Sequence, residues 1–179
     1  MLKAVILDRD GTLNEDPGYV HKIDDFKLIP KTIEALKLLK DFKLFIITNQ
    51  AGIGKGIYSE TDFLKFNNHL INELKKNGIK IEKTYYCKHS SNENCDCRKP
   101  SIKYIKEIEK EYNIDLKNSY VIGDKPSDIE MGNKAGCKTI FVLTGLGEKH
   151  VAELDSNSRP TIIRKNLFEA ALWIKEEKF

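Results

Sequence analysis

The stretch Ala4-Val5-Ile6-Leu7-Asp8-Arg9-Asp10-Gly11-Thr12-Leu13 decides how this chain is read. Its apolar run fits a strand buried on both faces, and the run stops at two carboxylates. An extended backbone points Asp8 and Asp10 to the same side, where they can share one Mg²⁺ and face one phosphorus atom. Gly11 and Thr12 then turn the chain. Alone, such an acidic pair is a weak signal, because a solvated strand end with a turn explains it about as well. The rest of the chain has to supply the missing parts.

Working outward, short apolar runs alternate with segments of helical period. Residues 44–48, 83–86, 120–122 and 139–143 read as strands, and 161–164 as a weaker strand at an edge. Ile33, Leu36 and Leu39 repeat at helical spacing. Phe63, Phe66, Leu70 and Leu74 do so behind Ser59-x-x-Asp62, a helix start. Ile102, Ile105, Ile108 and Tyr112 follow Pro100-Ser101, and Asn166-x-x-Glu169 opens a last helix through Leu172 and Trp173. This alternation predicts an α/β fold: a Rossmann-like three-layer sandwich with a central parallel sheet, one domain over residues 1–179. In open sheets of this kind ligands sit beyond the carboxyl ends of the strands. Asp8, Thr48-Asn49 and Gly123-Asp124 all fall on that edge.

Composition narrows the function. The chain has 179 residues, 32% charged and 40% hydrophobic, which suits a globular protein with a real core. A net charge of +3 without a long basic run points away from nucleic acid and from a membrane surface. Met1-Leu2-Lys3 leads straight into a core strand, so no signal peptide is expected, and no apolar stretch approaches the ~20 residues of a membrane span. A cytoplasmic protein acting on a small molecule is the expectation. Without coiled-coil heptads, a monomer is expected too.

Three further pieces belong with Asp8 and Asp10. Thr48-Asn49 puts a hydroxyl and an amide at a strand end, suited to phosphoryl oxygens. Arg98-Lys99-Pro100-Ser101 puts two cations ahead of a helix whose N-terminus also favours anions. Gly123-Asp124-Lys125-Pro126-Ser127-Asp128 adds carboxylates suited to an oxygen-rich Mg²⁺ site. Each alone reads as a cap, a solvated charge or a turn; their order and shared placement carry the argument. Separately, Cys87, His89, Cys95 and Cys97 have the spacing C-x-H-x5-C-x-C, which suits a closed tetrahedral Zn²⁺ site bracing the loop 87–97. Disulfides are the competing reading, but three clustered cysteines leave one unpaired. Cys137 lies far from the cluster and reads as a buried thiol.

With these motifs in place the sequence resembles the haloacid dehalogenase superfamily of aspartate-nucleophile phosphatases: Asp8-x-Asp10-Gly11-Thr12, Thr48-Asn49, Lys99, and Gly123-Asp124-x-x-x-Asp128. The resemblance runs from Leu2 to about Leu143. It implies that Asp8 attacks phosphorus, that Asp10 protonates the leaving oxygen, and that Thr48 and Lys99 stabilise the transferring oxygens. It also implies Mg²⁺ held by Asp8, the Asp10 carbonyl and Asp124, with Asp128 supporting that shell. The interval between the second and third motifs leaves no room for a separate cap domain.

A narrower resemblance is to the D-glycero-D-manno-heptose 1,7-bisphosphate 7-phosphatase family. It is carried by Asp8 through Asn14, Gly18-Tyr19-Val20-His21, Thr48 through Ile53, the metal loop, Cys97-Arg98-Lys99-Pro100 and Gly123-Asp124-Lys125. That family serves nucleotide-activated heptose biosynthesis for the cell envelope. The resemblance implies a substrate pocket lined by Asp16, Gly18, Tyr19, Asn49, Gln50, Ala51, Arg98 and Lys125. The short spacing from His89 to Cys95 is similar to the histidinol-phosphate phosphatase domain, which stays an alternative. Another class, a phosphoacceptor module signalling through Asp8 without turnover, stays as a further one.

Overall fold

The first strand, β1 (Ala4–Leu7), is buried along its whole length, and its alternate residues serve two different cores. Val5 and Leu7 join one apolar cluster, Ala4 and Ile6 the other. That division is what a strand covered on both faces must show. The computed structural model describes residues 1–177; residues 178–179, the end of the expected domain, lie outside the described residues.

After β1 come α1 (Thr32–Leu38), β2 (Lys43–Asn49), α2 (Ala51–Gly54), α3 (Glu60–Lys76) and β3 (Ile81–Cys87). The second half holds α4 (Lys103–Tyr112), β4 (Tyr120–Gly123), α5 (Pro126–Ala135), β5 (Lys138–Val142), α6 (Gly147–His150), β6 (Ile162–Arg164) and α7 (Leu167–Glu176). The strands form one sheet in the order β3-β2-β1-β4-β5-β6, and every pairing is parallel. Residues of α1, α3 and α7 pack on the Val5/Leu7 face, and residues of α4 and α5 on the Ala4/Ile6 face. The α/β sandwich and its parallel sheet are therefore those expected. Between β2 and α4 the chain holds only α2, α3, β3 and the metal loop.

Local signals place most of these elements. Ser59 and Asp62 form the capping box of α3, and the Asn166 side chain accepts the Glu169 N–H at the start of α7. The start expected at Pro100-Ser101 falls later: α4 begins at Lys103 with Ile102 as its cap. Ser101 instead donates to the Asp96 carbonyl and accepts the Lys103 N–H, tying the metal loop to the helix. β3 starts at Ile81, ahead of the expected residue 83. α5 is a helix beyond those expected from the sequence: Pro126 opens it and Gly136, at φ 81°, closes it.

Replacing Asn166 by Ala removes the N-cap of α7, whose side chain accepts the Glu169 N–H and none of the site's hydrogen bonds. The expected cost is ~1 kcal/mol. It should appear as a lower urea midpoint at unchanged slope, with unchanged kcat.

Candidate active site

The alternation of β1 continues past its end and sorts the residues that follow. Asp8 extends the Ala4/Ile6 side, where α4 and α5 pack, and its partners come from there. Lys99, just ahead of α4, sends its ammonium to Asp8 Oδ1 at 2.7 Å and to Asp128 Oδ1 of α5 at 2.6 Å. The same nitrogen donates to the Ile47 carbonyl at 2.8 Å, so it makes two hydrogen bonds, to Asp8 and Ile47, beside its ion pair with Asp128. Burial works against the Lys99 charge, but Asp128 and Asp8 outweigh it and hold its pKa above the ordinary value. Burial likewise opposes the Asp8 charge, yet Lys99 and Lys125 prevail and keep its pKa below the usual carboxylate range. Asp8 is thus a buried, ionised carboxylate at the head of the sheet.

Asp124 follows β4, the strand beside β1. Gly11, at φ 87°, and Gly145, at φ 59°, approach it so closely that a Cβ on either would collide with its carboxylate. Its Oδ2 accepts the Leu146 N–H at 2.9 Å, while its buried Oδ1 has no hydrogen-bond partner. Burial, reinforced by Asp8, pushes the Asp124 pKa up to about 8. Ligand oxygens of Asp8, Asp124 and Asp128 all lie within 4.8 Å of one another. Five carboxylates act on one another here (Asp8, Asp10, Asp16, Asp124, Asp128) against three cations (Arg9, Lys99, Lys125). An orphaned carboxylate oxygen in a site with that excess suits a divalent cation held by oxygen ligands, and Mg²⁺ fits. Asp128 Oδ1 is ion-paired with Lys99 without a hydrogen bond, and its Oδ2 accepts the Lys125 N–H.

Asp10, two residues on, has a different set of partners. Arg9 extends the Val5/Leu7 side into the core, fully buried, with its guanidinium 5.2 Å from the Phe63 ring centre and 4.8 Å from that of Phe66. A buried charge needs a partner, and Arg9 forms a two-pronged ion pair with Asp10 at 2.7 and 2.8 Å. Asn14 adds a donor at 3.0 Å and Gln50 another at 2.9 Å. The Gln50 amide also donates to Thr48 Oγ1 at 2.8 Å and accepts the Tyr58 hydroxyl at 2.6 Å. Its side chain, read from the sequence as pocket lining, therefore faces inward and joins Thr48 to Asp10.

The remaining residues read as pocket lining divide between an anchor and a rim. Asn49 is an anchor: its side chain accepts the Lys99 N–H at 3.0 Å and points its amide nitrogen at the Lys99 carbonyl. Asp16 and Lys125 interact with Asp8, and burial followed by Asp10 raises the Asp16 pKa. Gly18 is exposed at φ 102°, and its N–H reaches Asp16 at 3.0 Å. Tyr19, exposed and at φ 53°, accepts the Lys55 ammonium at 2.8 Å, while His21 stacks on Tyr58. Ala51 is the first residue of α2, and Arg98 donates to the His89 carbonyl at 3.4 Å. A cavity of 440 Å³ bordered by Asp16, Asp25, Lys27 and Gly145 opens beside this rim.

Cys87, His89, Cys95 and Cys97 converge. Cys87 and Cys95 sulfurs lie 3.7 Å apart, and His89 Nδ1 lies 3.5 Å from Cys87 and 3.3 Å from Cys97. Ligands at ~2.3 Å (S) and ~2.0–2.1 Å (N) around a tetrahedral Zn²⁺ would be separated by about 3.6–3.8 Å. The sulfurs are far beyond the ~2.05 Å of a disulfide. The cluster thus fits a closed structural zinc site. It sits beside the phosphoryl site because Cys87 pairs in register with Asn49, the residue that also clasps Lys99. Cys137 is a buried thiol away from the cluster, its pKa pushed up to about 12 by burial.

Arg9, Asn14, Tyr58 and the Leu146 N–H had no role in the sequence reading. For Arg9 the signal was available: period two places it on the core face, where a charge demands a partner. Tyr58 and Leu146 reach the site through loops with no period to follow.

Fold and site together define a phosphoryl-transfer protein built on an aspartate at a parallel-strand end. A family model described as HAD-hyrolase-like matches residues 96–170. A D-glycero-alpha-D-manno-heptose-1,7-bisphosphate 7-phosphatase of Photorhabdus laumondii is 40% identical over 151 residues, covering 79% of this chain and 82% of that protein. A D-glycero-beta-D-manno-heptose-1,7-bisphosphate 7-phosphatase of Pasteurella multocida is 43% identical over 154 residues, covering 81% and 84%. A crystal structure of D,D-heptose 1,7-bisphosphate phosphatase from B. bronchiseptica, complexed with magnesium and phosphate, superposes with a TM-score of 0.89 at 27% identity, covering 98% of this chain and 99% of that one. The chain belongs to the heptose-1,7-bisphosphate 7-phosphatase family of haloacid dehalogenase-like hydrolases.

Two outcomes follow from the metal geometry. Protein purified without chelator should carry about one zinc per chain by elemental analysis, and Cys95→Ser should lower both melting temperature and activity; unchanged melting contradicts the bracing role. Below about pH 8 the metal-free protein keeps a proton on Asp124, which Mg²⁺ must displace. Mg²⁺ affinity should then weaken as pH falls from 8 to 6, by up to about tenfold per unit. Calorimetric titration giving a pH-independent affinity contradicts this.

Proposed function

We propose that this protein removes the 7-phosphate of D-glycero-D-manno-heptose 1,7-bisphosphate through an aspartyl-phosphate on Asp8. The observation that carries the chemistry is the buried, ionised Asp8 bonded to Lys99, beside an Asp124 oxygen with no partner. The substrate follows from the relatives, which share about two fifths of their residues with this chain and carry that activity in their names.

In this reading Asp8 attacks phosphorus in line, and the bond to the sugar oxygen breaks. Asp10, after taking up a proton as the substrate binds, gives it to the departing oxygen, then takes one from the water that cleaves the Asp8–phosphorus bond, releasing inorganic phosphate. Lys99 and Thr48 hold the equatorial oxygens. Mg²⁺, when held by Asp8, Asp124 and the Asp10 carbonyl, neutralises charge between the carboxylate and the anionic phosphate. Asp16, Gly18, Tyr19, Ala51, Arg98 and Lys125 line the sugar's seat, as the family resemblance implies, with Asp16 bordering an open cavity. Asn49 keeps Lys99 in place. One catalytic domain over 1–179, a monomeric state and a cytoplasmic setting complete the reading. Clustered free thiols support that setting, and no helix among the described residues is long and apolar enough to cross a membrane.

Asp8→Asn should abolish turnover while phosphate and substrate still bind; near wild-type rates contradict the nucleophile. Heptose 1,7-bisphosphate should exceed histidinol phosphate in kcat/KM. The reverse order replaces the substrate, and no Mg²⁺-dependent phosphate release from any phosphate ester replaces the enzyme by a phosphoacceptor module.

A further inference from the structure

Tyr58 lies at the end of the loop after β2 and touches none of the carboxylates, yet its packing is closely defined. Its ring lies against the Cα of Gly52, where any Cβ would collide with it, and His21 stacks on it at 4.7 Å and 15°. Its hydroxyl donates to Gln50 Oε1 at 2.6 Å. Burial, then the neighbouring Asp10 charge, pushes its pKa up to about 12, so it stays a donor at neutral pH. The Gln50 amide is therefore fixed at one end by a permanent donor, and at the other its nitrogen bridges Thr48 and Asp10. A flipped amide would set its oxygen against the Asp10 carboxylate.

We propose that Tyr58 is a positioning residue for proton transfer, acting through the Gln50 amide to hold Asp10 in register with Thr48. The proposal rests on the reading of Asp10 as the acid that protonates the leaving oxygen. Arg9 and Asn14 grip Asp10 from the strand side. Gln50 supplies the contact from the loop side, and Tyr58 orients Gln50. Gly52 provides the space for the ring, and His21 closes over it.

Leaving-group chemistry separates this role from packing. An alkyl phosphate such as heptose 1,7-bisphosphate needs a proton on its departing oxygen, whereas p-nitrophenolate leaves without one. kcat/KM reports steps only through departure of that group. Tyr58→Phe keeps the ring, the His21 stack and the fit over Gly52. It should lower kcat/KM about tenfold for heptose bisphosphate, a fraction of the ~10²–10⁴-fold that a positioned acid supplies. For p-nitrophenyl phosphate the loss should be about twofold, with KM little changed for either. In Gln50→Leu the further change Tyr58→Phe should add nothing, because the two act in series. Equal losses on both substrates, no loss on either, or additive losses in the double variant overturn the proposal. Asp10→Asn measured alongside keeps the two readings apart. A leaving-group dependence in Asp10→Asn that Tyr58→Phe lacks removes only the role of Tyr58. Its absence from Asp10→Asn removes the acid assignment and this inference with it.

Discussion

The structure depends on one buried ammonium. Lys99 joins the end of β1 through Asp8, the end of β2 through the Ile47 carbonyl, and the start of α5 through Asp128. Bringing carboxylates together at the head of a parallel sheet sets like charges in a poorly screened place. Breaking a buried ion pair by removing one partner costs ~3–5 kcal/mol, because the other charge is left alone. Lys99 makes that arrangement tolerable for Asp8 and Asp128. Asp124 and Asp16 receive no such partner, and their raised pKa values record the remaining excess of negative charge. The site is built so that a divalent cation completes it.

Around that pair the two faces of β1 divide the work. Even positions lead to Asp8 and its partners from α4 and α5; the odd position Arg9 leads into the aromatic packing of α3. Arg9 then turns its guanidinium back onto Asp10. Neighbouring carboxylates thus receive unlike surroundings, one facing a buried lysine, the other held by an arginine and two amides. Different surroundings for Asp8 and Asp10 come from the partners that meet each one, because the pleat alone would give both the same side. The zinc cluster extends the same economy. The loop leaves the sheet at Cys87, opposite Asn49, and returns at Lys99, whose backbone Asn49 clasps. A cation bound by four side chains stiffens a polar loop that carries the key lysine at its end.

Much of this was legible in the sequence, for identifiable reasons. The six strands and the sheet edge that gathers Asp8, Thr48 and Asp124 follow from apolar runs ending in polar residues. The metal loop follows from the spacing of Cys87, His89, Cys95 and Cys97. What escaped was set by contacts without a period. The inward turn of Gln50 depends on Tyr58, whose ring packs against Gly52, and the hydrogen bond to Asp124 comes from the Leu146 backbone. Arg9 lay between: its face could be read from alternation, its partner only from coordinates. The helix α5 shows the reverse case, with start and stop residues in plain view but its residues read for charge alone.

The central claim is that Asp8 takes the phosphoryl group before water does, and the stereochemical course at phosphorus tests it most directly. A substrate whose transferred phosphate is chiral in oxygen isotopes would be hydrolysed in isotopically labelled water and the configuration of the product determined. Two in-line displacements, first by Asp8 and then by water, predict net retention. Net inversion would mean a single attack by water, and would contradict the account.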